Sequence, residues 1–481
     1  VPVAATLMVC GSCPTGSAAQ AEGTETRDAQ NWRDEKRPGN GNVTNDRKLP
    51  GEPSSAARIA PTVLQANLYV PDKRRQLTAD QVRVLIGMGD HKALLKLARE
   101  RINENPKIAV WHELDGLIHV HQQQGIEDVV RPASDELKIA EGLAPRDSQV
   151  LATSALVHFL KKDTKELESA VEKSNASLKI DPNNKRARAI HLLSSILLKK
   201  SKAGKHEVLG ACRDAEKEYD VYVAATRYFR MKLEPDGVDA VLKTWVENMP
   251  ESAYAYFRRG QFREAQRDYI RAGEDFAKAS ELNGNYVTAI ARLAFCQYKN
   301  KRYNEALKTY ERIVKLNGMT SPARYLHRAQ CYSALGKYDR AIADYKFALE
   351  KELGSSDASK QLLEARKREP RAQRVLRSWW DMRAEAYEKT GAFDKAIEDA
   401  NLAVIVSQGD AAALDFRRQL YERLKKYDLA LKDLNAMISM NPTGALWYKS
   451  RADVLLRLGR KAEAEKDLKR FDSLEKTGVI K

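Results

Sequence analysis

Residues Ala253–Tyr286 read AYAYFRRGQFREAQRDYIRAGEDFAKASELNGNY, and Val287–Thr320 read VTAIARLAFCQYKNKRYNEALKTYERIVKLNGMT. The two stretches are each 34 residues long and align without a gap. Gly260 is answered by Ala294, Tyr269 by Tyr303, Ala272 by Ala306, Phe276 by Tyr310, Ala279 by Ile313, and Leu282-Asn283-Gly284 by Leu316-Asn317-Gly318. Self-similarity at such a period marks a chain of stacked supersecondary units, each too small to bury its apolar face alone. Small residues belong where two helices cross closely, aromatic residues fill the gap to the next unit, and the Asn-Gly pair ends the second helix.

The period continues outward from these two copies. Pro322–Ser355 supplies Ala329, Tyr332, Gly336, Tyr338, Ala341, Tyr345 and Ala348, and Arg377–Asp410 supplies Ala384, Tyr387, Gly391, Phe393, Ala396 and Ala403. Ala411–Gly444 carries Tyr421, Tyr427, Ala430, Leu434 and Asn441-Pro442, and Ala445–Gly478 carries Ala452, Gly459, Ala464 and Leu468. Upstream, Asn105-Pro106, Ala144-Pro145, Asp181-Pro182 and Met249-Pro250 fall near the expected breaks and outline five weaker units over 75–252. This pattern resembles the tetratricopeptide repeat. The resemblance implies an all-α, right-handed superhelical solenoid of about eleven stacked antiparallel helix pairs, with clear repeats at 253–355 and 377–478. The stretch 356–376 is an insertion whose KQLLEARKREPRAQRVL reads as a lengthened helix end and, because the repeats resume after it, as a loop projecting from one face; a second loop is expected near His121–Asp135.

Composition agrees with a water-facing helical protein: of 481 residues, 43% are hydrophobic, 31% charged and only 7% aromatic. No apolar run reaches the roughly 18 to 20 residues of a membrane-spanning helix. The five cysteines are too few and too scattered to staple a fold. The net charge is +16. Its one undiluted run is Lys185–Lys205, with Lys185, Arg186, Arg188, Lys199, Lys200, Lys202 and Lys205 and no acid. Such a run offers nucleic acid or another polyanion a landing place, but it lacks the interleaved aromatics that would stack on bases.

The first residues carry a different signal. Val3–Val9 is a short apolar run followed by small residues ending in Ala19-Gln20-Ala21, the pattern of an export signal cleaved before Glu22. Residues 1–21 are therefore read as a signal peptide, which makes the protein exported, and a cytoplasmic location is the alternative. Residues 22–74 contain too few large apolar side chains to offset the entropy of ordering and are expected to be a disordered leader.

No catalytic, cofactor or metal pattern emerges. His112, His119 and His121 cluster in sequence, but His112 and His119 lie two helical turns apart, about 10.5 Å of rise, and Gly116 stands where a metalloprotease motif needs its second histidine. Cys296 and Cys331 share position 10 of their repeats and read as buried small residues. The expectation is a non-catalytic scaffold. In the tetratricopeptide family the first helix of each pair lines a concave groove through positions 2, 5, 9, 12 and 13. Carried over, these give Tyr254, Phe257 and Gln261, then Phe295, Tyr298 and Lys299, then Leu326 and Gln330, a mixed aromatic and polar surface for a peptide or helix of a protein partner. Asp381, Glu385 and Glu388 add an acidic stretch. The carboxylate clamp of the chaperone-binding members has no match in the three best consecutive repeats, where Phe257, Gln261, Arg292, Ala323 and His327 stand at its positions.

Overall fold

The computed structural model describes residues 77–86, 91–121, 126–161, 163–316 and 318–476. Among them are 23 α-helices and no strand. Twenty-two form eleven consecutive pairs: α1 (Ala79–Ile86) and α2 (His91–Glu104), α3 (Ala109–His121) and α4 (Ile126–Leu143), α5 (Ser148–Lys161) and α6 (Thr164–Ile180), α7 (Lys185–Leu197) and α8 (Lys205–Asp214). They continue as α9 (Tyr219–Met231) and α10 (Pro235–Asn248), α11 (Ala253–Ala265) and α12 (Tyr269–Leu282), α13 (Val287–Lys299) and α14 (Tyr303–Lys315), α15 (Pro322–Ala334) and α16 (Tyr338–Leu353). A single helix, α17 (Ala358–Arg366), precedes α18 (Pro370–Lys389) and α19 (Phe393–Val406), α20 (Ala411–Arg423) and α21 (Tyr427–Met440), and α22 (Ala445–Arg457) and α23 (Lys461–Lys476). The fold is all-α, a stack of helix pairs. Residues 1–21 and 22–74, read above as export signal and leader, lie outside the described residues.

The repeat pattern has a direct packing cause. A Cβ built on Gly260 would come within 2.8 Å of the Phe276 ring, so the first helix of this pair can approach the second only because position 8 is glycine. Side-chain caps start several of the helices: Asp268 accepts from the Arg271 amide and Ser252 from the Ala255 amide. Between the two helices the backbone turns left-handed at repeat position 15 in eight units, at Lys199, Leu233, Arg267, Lys301, Gly336, Gly391, Lys425 and Gly459. Glycine fills that conformation without strain in three of these and a side-chain-bearing residue accepts it in five.

A second lock recurs that the aromatic pattern does not reveal. Arginine at position 7 of the first helix pairs with aspartate at position 23 of the second: Arg259 with Asp275, Arg328 with Asp344, Arg383 with Asp399, Arg417 with Asp433 and Arg451 with Asp467. In the last four the guanidinium donates through both Nε and Nη2 at 2.6–3.0 Å, the forked geometry that makes Arg–carboxylate bonds strong. Arg417 and Arg451 also reach back to Asn401 and Asn435 of the preceding unit at 2.9 and 2.8 Å.

Two loop expectations are corrected. The insertion does not project as a loop: α17 packs Gln361 and Ala365 inward, and the extended start of α18 buries Gln373 and Leu376. The apolar contribution of Ala365 and Leu376 is what draws this stretch onto the stack. Most of the loop expected near His121–Asp135 is likewise helix, because Val130, Ala133 and Leu137 recur at helical spacing and are buried.

Candidate partner-binding surface

The first helices present one face along the stack, and that face has two characters. In the upstream half it is filled by its own side chains. Helix α3 is buried from Trp111 to His121, and α9 from Tyr219 to Thr226. A polar chain crosses this interior. His121 Nε2 lies 2.6 Å from Asp220 Oδ1, and Arg186 Nη2 lies 2.6 Å from Asp220 Oδ2. Arg186 Nη1 donates to Thr153 Oγ1 at 2.6 Å, and Thr153 Oγ1 donates to Glu113 Oε1 at 2.6 Å. Burial would push the Asp220 carboxyl up, but Arg186 and the His121 hydrogen bond outweigh it and hold the carboxyl below its ordinary value. Burial would lower Arg186 too, and Asp220, Glu113 and Glu218 overcome that and raise it. Above this chain His91 stands edge-on to the Tyr254 ring with centroids 4.9 Å apart, pushed down to about 3 by burial and by His121.

The downstream half is different. Phe295 is largely buried, but Tyr298, Lys299, His327 and Gln330 remain half-buried around it. The His327 ring sits 4.8 Å from the Phe295 centroid and stacks at 6.2 Å on Tyr298. Lys299 Nζ lies 5.3 Å from the Phe295 centroid and 5.5 Å from that of Tyr298. Burial first, then Lys299 and Arg292, push His327 down to about 4, so at neutral pH it is an uncharged ring. Gln330 reaches across the insertion to the Met382 sulfur at 3.2 Å. The result is a platform of flat rings edged by an ammonium and an amide, able to cover an apolar side chain and hold a backbone group beside it.

The structure revises the residue set. Tyr254 and Phe257 have 0% exposure and belong to the core. Tyr254 is surrounded by His91, His121 and Trp245, and Phe257 by Phe276 and Tyr286, so rings from second helices, from the end of α3 and from the turn before α13 close over them. Leu326 is buried as well, while Gln261 stays half-buried. The sequence reading placed neither His327 nor Met382 among the groove residues. A position 6 histidine one repeat after a Phe–Tyr–Lys cluster was the available signal for the first. In the basic run, Arg186 is buried and spent on Asp220; Lys185 lies 2.9 Å from Glu216 and Lys200 3.8 Å from Glu168. Arg188, Lys199, Lys202 and Lys205 stay exposed.

The three histidines near 112–121 are not drawn together: His112 pairs with Glu136 at 2.7 Å, His119 with Asp115 at 3.1 Å, and His121 with Asp220. Among the described residues no group of three His, Cys, Asp or Glu side chains converges as a metal would require. Cys296 and Cys331 are buried, and burial pushes both thiols up to about 12, which leaves them without thiolate character. In the acidic stretch Asp381 pairs with Arg377 at 3.0 Å and Glu388 is held by Arg423 through two hydrogen bonds, while Glu385 is exposed.

Comparison with known proteins finds two family matches: anaphase-promoting complex, cyclosome, subunit 3 over residues 276–348, and tetratricopeptide repeat over 419–472. Protein SGT1 homolog of Bos taurus is 33% identical over 100 residues, which is 20% of this chain and 30% of that protein. Low calcium response locus protein H of Yersinia pestis is 26% identical over 87 residues, 18% of this chain and 51% of that protein. The chain thus spans 30% of the length of the first of these relatives and 51% of the second. Among solved structures, the APC/C hetero-tetramer Cut9–Hcn1 is similar at 15% identity over 82% of this chain and 71% of that one, with a TM-score of 0.36. The MamA protein is similar at 18% identity over 42% of this chain and 96% of that one, with a TM-score of 0.33. No described helix is long and apolar enough to cross a membrane.

Proposed function

We propose that this chain, a tetratricopeptide-repeat protein and so a scaffold for protein–protein interaction, takes a peptide or helix of its partner on the open first-helix face between α13 and α22. The observation that carries the reading is the half-exposed platform of Tyr298, Lys299, His327 and Gln330 around Phe295, set against an upstream face closed by its own side chains. Rings and amides that are already held by neighbours lose little freedom when a partner docks, which is how a small cluster comes to dominate an interface.

The test uses the full chain captured from its own cells. Replacing Tyr298, Lys299 and Gln330 together by alanine should remove the stoichiometric partners with melting nearly unchanged. The same partners recovered at the same yield would sink the platform. Polyanion binding through the basic run is the other reading, and it is supported by the exposed Arg188, Lys199, Lys202 and Lys205 alone. A catch that vanishes with nuclease would favour it. The Ala19-Gln20-Ala21 pattern supports placing the scaffold in an exported compartment, where it would assemble envelope or secretory complexes, and an intact mass beginning at Glu22 checks that placement.

A further inference from the structure

Many of the described arginines are held by carboxylates, while Arg312 and Arg324 are held by backbone carbonyls. Five lock helix pairs through position 23, Arg292 is held by Glu264 at 2.7 Å, Arg423 by Glu388, and Arg186 by Asp220. Three on the first-helix face depart from this. Arg227 and Arg230 stand one turn apart on α9, and Arg258, on α11, the next first helix, is near enough to Arg230 to bear on its charge. None of the three forms an ion pair among the described residues. Arg227 Nη2 donates to the Leu160 carbonyl at 2.7 Å, and its Nε is buried without a hydrogen-bond partner. Arg258 Nη1 donates to Tyr254 Oη at 3.3 Å and its guanidinium sits 5.7 Å from that ring's centroid. Arg230 is open to solvent, yet enclosed by enough protein that burial, then Arg258 and Arg227, push it down to about 10.

Guanidinium groups that bear on one another and have no carboxylate paired to them among the described residues repel, and their fixed donor forks are matched to oxyanions. We propose that Arg227, Arg230 and Arg258 receive a doubly charged oxyanion group of a bound peptide, either adjacent carboxylates or a phosphorylated side chain, where the closed half of the first-helix face gives way to the open half. One carboxylate would leave most of the charge unmatched. A nucleic-acid ligand fits less well: the neighbouring rings of Tyr219, Tyr228 and Tyr254 are buried and packed on one another or on Phe229, His91 and His121, leaving no free ring for a base. Half-buried Gln261 continues from Arg258 along α11 toward the platform on α13. The inference rests on the reading that this face takes a peptide.

The experiment measures fluorescence anisotropy of the full chain with four short probes: a peptide with two adjacent glutamates, the same peptide with phosphoserine in their place, its uncharged counterpart, and a 5′-phosphorylated single-stranded oligonucleotide. Either or both charged peptides should bind tighter than the uncharged one, and Arg230→Gln should weaken them by about tenfold, with a shallower salt dependence. Because Arg230 has no ion-pair partner to lose among the described residues, Arg230→Gln should leave the melting temperature unchanged or raise it. Arg230→Gln with Arg258→Gln should abolish the preference for charge. Unchanged peptide affinity in Arg230→Gln overturns the inference, as does a lowered melting temperature, which would make the arginine structural. An oligonucleotide that binds tighter than either peptide and is lost in the same variant overturns it in favour of nucleic acid. Tyr298→Ala separates the two levels: charged peptides insensitive to Arg230→Gln but lost on Tyr298→Ala remove the arginine site and keep the platform, and the reverse removes the platform.

Discussion

From Ala79 to Ala265 and from Val287 to Arg457 the molecule repeats the same helix pair, yet the two regions treat the same face in opposite ways. Upstream, one continuous apolar core runs from Leu77 to Cys296, and Glu113, Arg186, Asp220 and His121 are sealed inside it. Downstream, the buried side chains break into separate clusters, each confined to one or two units, and the first-helix face stays partly open. A repeat position therefore does not decide exposure by itself. What decides is whether successive first helices approach closely enough to exclude water, and in this chain the approach is accompanied by a polar chain that satisfies its own charges.

The largest test breaks that chain. Asp220→Ala leaves Arg186 buried with its main counter-ion gone and His121 without its carboxylate, and removing one member of a buried pair costs about 3–5 kcal/mol. Denaturant unfolding should show a loss of that size. Hydrogen exchange should place it upstream, with amides on α3, α7, α9 and α11 losing protection while α20 to α23 keep theirs, since repeat stability is a sum of local terms. Equal loss across the whole stack would mean that the two halves are one cooperative unit and that their difference is only one of surface.

Much of this was legible in the sequence. The period yields the helix pairs because Gly260, Ala294 and Ala329 stand where backbones cross and Phe276, Tyr310 and Tyr345 stand against them. The Arg–Asp lock was legible too, at positions 7 and 23 of five units, but it was hidden behind the more familiar small and aromatic positions. The closure of the upstream face was not legible from the family's groove positions. Tyr254 occupies position 2, as do Arg186 and Asp220, and only the three-dimensional approach of His121, far off in the chain, shows that this row is an interior. The insertion was read only in part: its helical character was legible, but its many charges mask the inward residues Gln361, Ala365, Gln373 and Leu376 that keep it from projecting as a loop.

Acid should sharpen the contrast, at a smaller scale. His91, held down to about 3, stays neutral in the fold while an unfolded histidine takes up a proton near pH 6.5, so the unfolded chain binds more protons as pH falls. Stability linked to His91 is thus present above about pH 6.5 and declines below it, by up to roughly 1.4 kcal/mol per pH unit. His158, also lowered by burial, adds to the same trend upstream. Downstream the signs oppose. His327 declines in the same way, but burial raises Asp381 to about 7, so the fold holds a proton there that the unfolded chain releases above about pH 4. That contribution grows as pH falls through 7. Between pH 7 and 5, hydrogen exchange should accelerate first on α2 and α3 and later on α13 to α18; the opposite order would mean that the closed interior is not where the acid-sensitive group acts.

The smallest effect isolates the backbone from the side-chain packing that separates the two halves. Leu233 holds φ at 57° in the turn between α9 and α10, with 87% of its surface exposed, while Gly336, Gly391 and Gly459 take the same place downstream at 71° to 78°. An L-residue in that conformation carries a penalty that glycine does not, and Leu233 has almost no packing to lose. Leu233→Gly should therefore raise stability by about 0.5–1 kcal/mol, net of the greater freedom that glycine gives the unfolded chain. The matched change, Gly336→Ala, should lower it by a similar amount. If Leu233→Gly destabilises instead, the turn of the closed half is held by packing at Leu233 rather than by its backbone geometry, and the two halves differ in their turns as well as in their inner faces.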